Sequence, residues 1–278
     1  MDIGTSRNGL WLLRAFFAIL VVFLYAPLLV LAMFSFNDGL TVAFPLEGFT
    51  TRWYGEFVSN PLLLRSLRAS FIVAATSSVI AVGLGVLASF VLVRRRFAGK
   101  AAASALVLSP LVIPYLVFGI SLLILFTTLD KILTETMGVY IGLGLHAIAI
   151  GHVVVSLPYT ILTIVPRLER VEVSLDEAAR DLGATGYQAF RRVTLPLLRP
   201  AMVSSLLIAF TLSFDEYAIA SFLVGTESTW PVFLFSQLRR EQLLPQLIAV
   251  SVVVLTVSML LVVATEVGRR RAERKLGA

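Results

Sequence analysis

Six stretches of this chain are each apolar over roughly 20 residues or more, the length a helix needs to cross the hydrocarbon core of a bilayer. They fall at about 12–34, 69–93, 101–127, 139–165, 201–224 and 243–265. A soluble chain has no use for so many such runs. Only 14% of the residues are charged, where a soluble domain carries about a quarter. The sequence therefore predicts an all-α membrane protein of six transmembrane helices, with one membrane domain spanning 1–278. The first run is too long for the apolar core of a signal peptide, so it reads as an uncleaved helix.

Orientation follows from the positive charges, which collect on the cytoplasmic side. With the N-terminus inside, the inner segments hold Arg7, Arg14, Arg94, Arg95, Arg96, Lys100, Arg167, Arg170, Arg180, Arg191, Arg192 and Arg199. They also hold Arg269, Arg270, Arg271, Arg274 and Lys275. Arg52, Arg65, Arg68, Lys131, Arg239 and Arg240 remain outside. Both termini are thus expected in the cytoplasm, as an even number of spans requires. The net charge of +6 belongs to this topology and to anionic lipid rather than to nucleic acid. Outside, Trp53 and Tyr54 suit either an interfacial anchor or a docking helix.

The chain has no cysteine and two histidines. His146 and His152 are six apart in the fourth run, a spacing that does not place them on one helix face. A metal site is not expected, and each reads as a packing histidine. No phosphate-binding loop, nucleophile elbow or zinc motif is present. Energy for any pumping must come from a partner or from an ion gradient.

The segment 166–200 stands out because it is polar between two apolar runs. Ser174 followed by Glu177 fits a capping box that opens a short helix to Leu182. Gly183 fits the left-handed position that ends it. Thr185 with Gln188 repeats the cap and opens a second helix to about Val193. Leu195-Pro196 is expected to break the chain, and Pro200 to start the next span. Small Ala178 and Ala179, among charged Glu177, Arg180 and Asp181, would admit a partner surface. A loop that merely connects two spans fits the same residues.

Asp215 and Glu216 are adjacent acids inside a predicted span. Asp215 lies about 21 Å above Ala201 at ~1.5 Å rise per residue, in the outer half of the bilayer. A charge there is costly unless it faces water or a partner, so it reads as functional by default. Ser204, Thr211 and Asp215 form one helical stripe, and Glu216 is turned about 100° away. Asp215 is the candidate for a path that attracts a cation. Glu216 is a second contact or the partner of a basic side chain on a neighbouring subunit, and Tyr217 and Tyr115 are candidates for cation–π contact with ammonium groups. A structural ion pair or a seam between subunits is the competing explanation. Prolines 27, 110, 114 and 158 interrupt the apolar runs, either as packing kinks or as irregular backbone lining a path.

The order Glu177-Ala178-Ala179, Gly183, Val193 and Leu195-Pro196 resembles the EAA loop of type I ATP-binding-cassette importer permeases, with Val193 where the family prefers Ile. FSFND, FTTRWY, RRRFAGK, SPLVIPYLVFGISLL and FTLSFDEYAIASFLVG are similar to the spermidine/putrescine branch, a likeness covering nearly all of the chain. The resemblance implies the six-helix permease fold in the bacterial inner membrane. It assigns Glu177, Ala178, Ala179, Asp181, Gly183, Leu195 and Pro196 to coupling with a cytoplasmic ATPase dimer, which would hold the ATP and Mg, with no cofactor in this chain. It also implies a second homologous permease subunit as heterodimer partner and an extracytoplasmic solute-binding protein. The transported solute would be a polyamine, moved by alternating access. Opines, aminophosphonates and other amino-acid-like solutes fit the same motifs. An ion-coupled carrier is disfavoured by the absence of paired half-repeats, and an intramembrane enzyme by the absence of polar partners for the two acids in other spans.

Overall fold

The computed structural model describes residues 7–276. Its regular structure is helical, and the described residues contain only one isolated bridge, Asn37 with Phe49. Five helical segments are long and apolar enough to cross a membrane: Gly9–Phe34, Pro61–Arg94, Tyr115–Met137, Leu145–Glu169 and Gly186–Phe214. Leu244–Leu260 is a shorter apolar stretch. The side chains of Arg7 and of the basic run 269–275 lie outside the described residues.

The chain forms two compact units. The smaller comprises residues up to Asn60 together with Gln237–Val257. It opens with α1 (Arg7–Phe34), an uninterrupted apolar helix with Pro27 inside it. A loop then leads to α2 (Arg52–Ser59). Trp53 is not an interfacial anchor: it is 3% exposed and its indole N–H donates to the Asn37 carbonyl at 2.7 Å. Tyr54 is tied to Ser35 through its hydroxyl at 2.7 Å. One face of the Trp53 ring is covered by the Arg52 guanidinium, 4.2 Å from the ring centroid, which also pairs with Asp38. The aromatic pair thus holds the loop together instead of reaching for the headgroups.

The larger unit runs from Pro61 to Ser236 and resumes at Ser258. It contains α3 (Pro61–Arg94), α4 (Lys100–Leu108), α5 (Tyr115–Met137), α6 (Leu145–Glu169) and α7 (Val173–Asp181). After these come α8 (Gly186–Ala189), α9 (Leu195–Phe214), α10 (Ala218–Leu223) and α11 (Trp230–Gln237). The last helix, α12 (Leu244–Leu276), begins in the smaller unit and ends in the larger.

Helices α3, α6 and α9 form the centre of the larger unit. On α3 the buried face reads Ala74, Ser77, Ser78, Ala81, Gly85 and Ser89, small residues that let backbones approach closely where lipid provides no hydrophobic drive. Thr160 on α6 uses that closeness, donating to the Ala81 carbonyl at 3.3 Å. One apolar cluster joins Val73, Leu122, Ile148, Val155, Ile219 and Leu223. A second joins Val82, Val86, Ile164, Leu168 and Leu198.

Several predicted boundaries shift, each for a local reason. The third run, expected as one helix over 101–127, is two pieces. A 3-10 turn at Ser109–Leu111 ends the first, and α5 starts only after Pro114. Pro114 has no N–H to donate and drives Ile113 out of helical geometry. The fourth run, expected at 139–165, begins at Leu145, because Gly138, Gly142 and Gly144 carry positive φ and the Asp130 carboxylate gathers the amides of Ile141 and Gly142. The second begins at Pro61, earlier than the expected 69, since a proline is tolerated in the first turn. The fifth, expected at 201–224, starts at Leu195 and stops at Phe214.

The predicted break at Leu195-Pro196 is absent. Phe190–Thr194 is a π-turn that runs directly into α9, and the Leu195 amide bonds the Phe190 carbonyl five residues back. The wider turn accommodates Pro196, which cannot donate to residue 192. Pro200 lies inside α9 instead of starting it.

Candidate functional site

The first candidate is the elbow between α6 and α9. Helix α7 starts at Val173, with Glu172 in extended geometry before it and no side-chain cap. The expected Ser174–Glu177 capping box does not form; Ser174 donates to the Glu172 carboxylate at 3.2 Å instead. The helix register is set from inside the protein. Asp176 is buried and accepts from the Thr194 hydroxyl at 2.8 Å. Neighbouring Glu177 and Ala178 therefore face outward.

Helix α7 ends as predicted: Gly183 sits at φ +89 and donates to the Arg180 carbonyl at 2.8 Å, while the Ala184 amide reaches Ala179. The second cap also forms, with Thr185 and Gln188 bonding each other's backbone amides. Of the other positions singled out, Asp181 and Gly183 are exposed, and Ala179, Leu195 and Pro196 are half-buried. Composition alone did not flag Leu182, 90% exposed, or Tyr187, 69% exposed, which add apolar surface to the same elbow. At its base, Arg94 on α3 donates to the Val171 carbonyl at 2.6 Å.

Removing the buried carboxylate with Asp176→Ala should cost about 1–3 kcal/mol, because the Thr194 hydroxyl is left unpaired. Asp176→Ala with Thr194→Val should recover part of that loss, as read by thermal unfolding of the purified protein.

The second candidate is the break after α9. Asp215 terminates the helix with φ −93 and ψ 0, and its amide still bonds the Thr211 carbonyl at 3.2 Å. Its side chain is exposed. Glu216 points the other way and is 7% exposed. Its carboxylate accepts from the amides of Ile219 and Ala220 at 2.9–3.0 Å, which starts α10. A carboxylate bonding the backbone ahead of it competes with continuing the helix, and this is why the span breaks here. The buried charge also meets His152 on α6, whose Nε2 lies 3.1 Å from Glu216 Oε2. Nδ1 of the same ring is 2.7 Å from Ser213 Oγ, which accepts from Ser77 on α3 at 2.9 Å. One directed chain satisfies these short contacts: Ser77 to Ser213, Ser213 to Nδ1, and Nε2–H to Glu216.

The structure thus separates two acids that are adjacent in sequence. Of the remaining stripe, the Ser204 and Thr211 hydroxyls bond carbonyls of their own helix. Tyr217 is 37% exposed and lies beside Phe235 of α11, centroids 4.8 Å apart. Tyr115 opens α5, its hydroxyl 3.4 Å from that of Tyr159 on α6, and packs on the apolar cluster that seats α10. His152 is fully buried and doubly bonded, while His146 is exposed and contacts the Gly142 carbonyl. The two do not share a site. The sequence reads His152 only as a packing histidine, and Ser213 and Ser77 escaped it because each looks like an ordinary span residue. A histidine at mid-depth of an apolar run was the one available signal.

Comparison with known proteins agrees with this architecture. The family described as binding-protein-dependent transport system inner membrane component matches residues 81–276. The putrescine transport system permease protein PotI of Escherichia coli K12 is 39% identical over 78% of this chain and 76% of its own length. The spermidine/putrescine transport system permease protein PotC of the same organism is 31% identical over 93% of this chain and 94% of its own. Among solved structures, a bacterial alginate ABC transporter in complex with an alginate pentasaccharide-bound periplasmic protein superposes with a TM-score of 0.71 at 16% identity, covering 94% of this chain and 95% of that one. With a family model matching residues 81–276 and two permeases at 31–39% identity over most of its length, the chain belongs to the binding-protein-dependent transport system inner membrane components, the multi-pass permeases of bacterial ABC importers in the inner membrane.

Proposed function

We propose that this permease moves a small cationic solute of the polyamine class inward by alternating access, with Asp215 as the side chain that draws the cation into the path. The observation that carries the reading is the exposed carboxylate of Asp215 at a break in a membrane-spanning helix. An acid in that position needs water or a cationic partner, and a polyamine supplies ammonium groups. The exposed Tyr217 ring beside it, with Tyr115 nearer the core, offers π faces for the same charges. The names of the relatives, putrescine and spermidine permeases, support the solute class.

On this reading the whole chain works as one membrane domain of six spans, Leu244–Leu260 contributing the last, with both termini in the cytoplasm. A second homologous permease subunit completes the path, and an extracytoplasmic binding protein delivers the solute. The chain holds no cofactor; ATP and Mg act on a cytoplasmic ATPase dimer that grips the elbow. Glu177, Ala178, Ala179, Asp181 and Gly183 form the gripped surface, and Leu195 and Pro196 join it to α9. The exposed Leu182 and Tyr187 enlarge the apolar part of that surface. When the ATPase closes, force passes from the elbow through α9 to the break at Asp215.

The test is uptake and stimulated ATP hydrolysis by the complete complex reconstituted with its binding protein. Putrescine or spermidine should stimulate both. Asp215→Asn should raise the KM for the solute about tenfold, the loss of about 1.4 kcal/mol for one charge-assisted contact, while the complex still assembles. Stimulation by an opine or aminophosphonate alone, or unchanged kinetics in Asp215→Asn, would overturn the assignment.

A further inference from the structure

We infer that His152 is a positioning residue for transport: by holding Glu216 inside the protein it fixes the break in the fifth span and thereby aims Asp215 and Tyr217 outward. The part concerning solute contact rests on the function proposed above; the part concerning the break does not.

Both ring nitrogens of His152 are committed to one short segment. Nδ1 meets Ser213, the penultimate residue of α9, and Nε2 meets Glu216, just past its end. The ring thus bridges the break from the neighbouring helix α6, with none of its surface exposed. Glu216 in turn holds two amides of the first turn of α10, those of Ile219 and Ala220. The seat beneath α10 is equally constrained. A side chain at Gly119 would meet the Ile219 Cα at 3.2 Å and the Ala218 carbonyl at 3.3 Å, and one at Gly151 would meet the Ile219 side chain at 2.9 Å. Helix α10 is therefore pressed against α5 and α6, and the three residues 215–217 must turn within a fixed gap. With Glu216 drawn inward by His152, Asp215 and Tyr217 on either side of it are the exposed pair.

A consequence follows for solute recognition. Glu216 is saturated by one imidazole and two backbone amides. Of the two adjacent acids, only Asp215 is free to meet a cationic ligand. Glu216 acts through the geometry it imposes, and His152 sets that geometry.

Two substitutions of similar size separate the contacts. A glutamine amide reaches about as far as Nε2, so His152→Gln keeps a donor for Glu216. An asparagine amide reaches only about as far as Nδ1, so His152→Asn keeps the Ser213 contact and loses Glu216. Two readouts on the assembled complex decide the matter. The first is hydrogen exchange of the peptide covering 216–223. His152→Asn should speed exchange of the Ile219 and Ala220 amides about tenfold, and His152→Gln should leave it near the unsubstituted rate. The second is the KM of putrescine- or spermidine-stimulated ATP hydrolysis, which should rise about fivefold or more in His152→Asn with kcat retained, and stay near its starting value in His152→Gln.

Equal behaviour of the two variants in exchange would overturn the inference. So would faster exchange in His152→Asn with an unchanged KM, because that is a structural role alone. If neither variant accumulates, Ser213→Ala takes their place. It removes the hydroxyl behind the ring without touching Glu216, and should give a smaller change of the same sign, about two- to threefold; no change in it overturns the inference. If no polyamine stimulates the unsubstituted complex, the proposed solute class falls, and the exchange measurement still decides whether His152 fixes the break.

Discussion

Glu216→Ala should lower the stability of the protein by about 3–5 kcal/mol, the combined cost of leaving buried donors unpaired and of the cavity left by the side chain. Truncation leaves the Nε2 of His152 and the amides of Ile219 and Ala220 without their acceptor in a site closed to water. It also leaves a cavity beneath α10, whose neighbours Ile219, Ala220 and Leu223 are packed too tightly to fill it. The measurements are membrane abundance and thermal unfolding of the purified chain, and a loss of this size should reduce abundance several-fold. Glu216→Gln should be much milder: its amide oxygen can still accept from α10, and its NH2 can face an imidazole in the other tautomer. An alanine variant as abundant and as heat-resistant as the unsubstituted protein would show that the carboxylate is not part of the packing. By contrast Asp215, exposed one residue earlier, should tolerate alanine with little effect on stability.

This contrast also marks how far the sequence could be read. The apolar runs were legible because a span is a property of about 20 consecutive residues, and the family motifs of the elbow were legible because they are local. The Thr185–Gln188 cap is complete within four residues and forms as expected. The Ser174–Glu177 cap, just as plausible locally, fails because Asp176 is claimed by Thr194 from eighteen residues away. Burying Asp176 turns α7 about its axis and leaves Ser174 to bond Glu172. The acids at 215 and 216 were recognisable as unusual, but their opposite orientations depend on a histidine 64 residues upstream. Trp53 is a similar case, because an aromatic in an outer loop looks the same whether its N–H meets a headgroup or the Asn37 carbonyl. Pro110 and Pro114 were legible as interruptions of the third run, but not whether they kink one helix or end it before α5 begins. At Ser174, Glu216 and Trp53 the sequence identified the right residue types, and a partner elsewhere in the chain decided what they do.

The elbow offers the second large effect, because its two glycines differ in a way that sequence alone does not show. Gly183 holds φ at +89, where a Cβ is strained whatever the space around it, although nothing lies within 4 Å of that position. Gly186 has ordinary backbone geometry, and a Cβ there would meet only the Arg180 guanidinium at 3.5 Å, a normal contact. Gly183→Val should therefore cost about 1–2 kcal/mol locally, and a branched side chain adds to this. The strain is relieved most cheaply by unwinding the last turn of α7, where Gly183 and Ala184 bond the carbonyls of Arg180 and Ala179. Unwinding displaces Ala178 and Ala179 from the surface proposed to meet the ATPase. Uptake by the reconstituted complex should fall about tenfold or more in Gly183→Val, with weakened solute stimulation of ATP hydrolysis. Gly186→Ala should transport normally and gain a few tenths of a kcal/mol, since alanine suits a helix start better than glycine by about that amount. Because Leu182 next to Gly183 is already solvent-facing, the valine buries nothing and the core helices α3, α6 and α9 are untouched. A loss of coupling in Gly183→Val with unchanged thermal stability of that core would place the defect in the shape of the elbow. Normal coupling in Gly183→Val would mean that the ATPase does not read this turn.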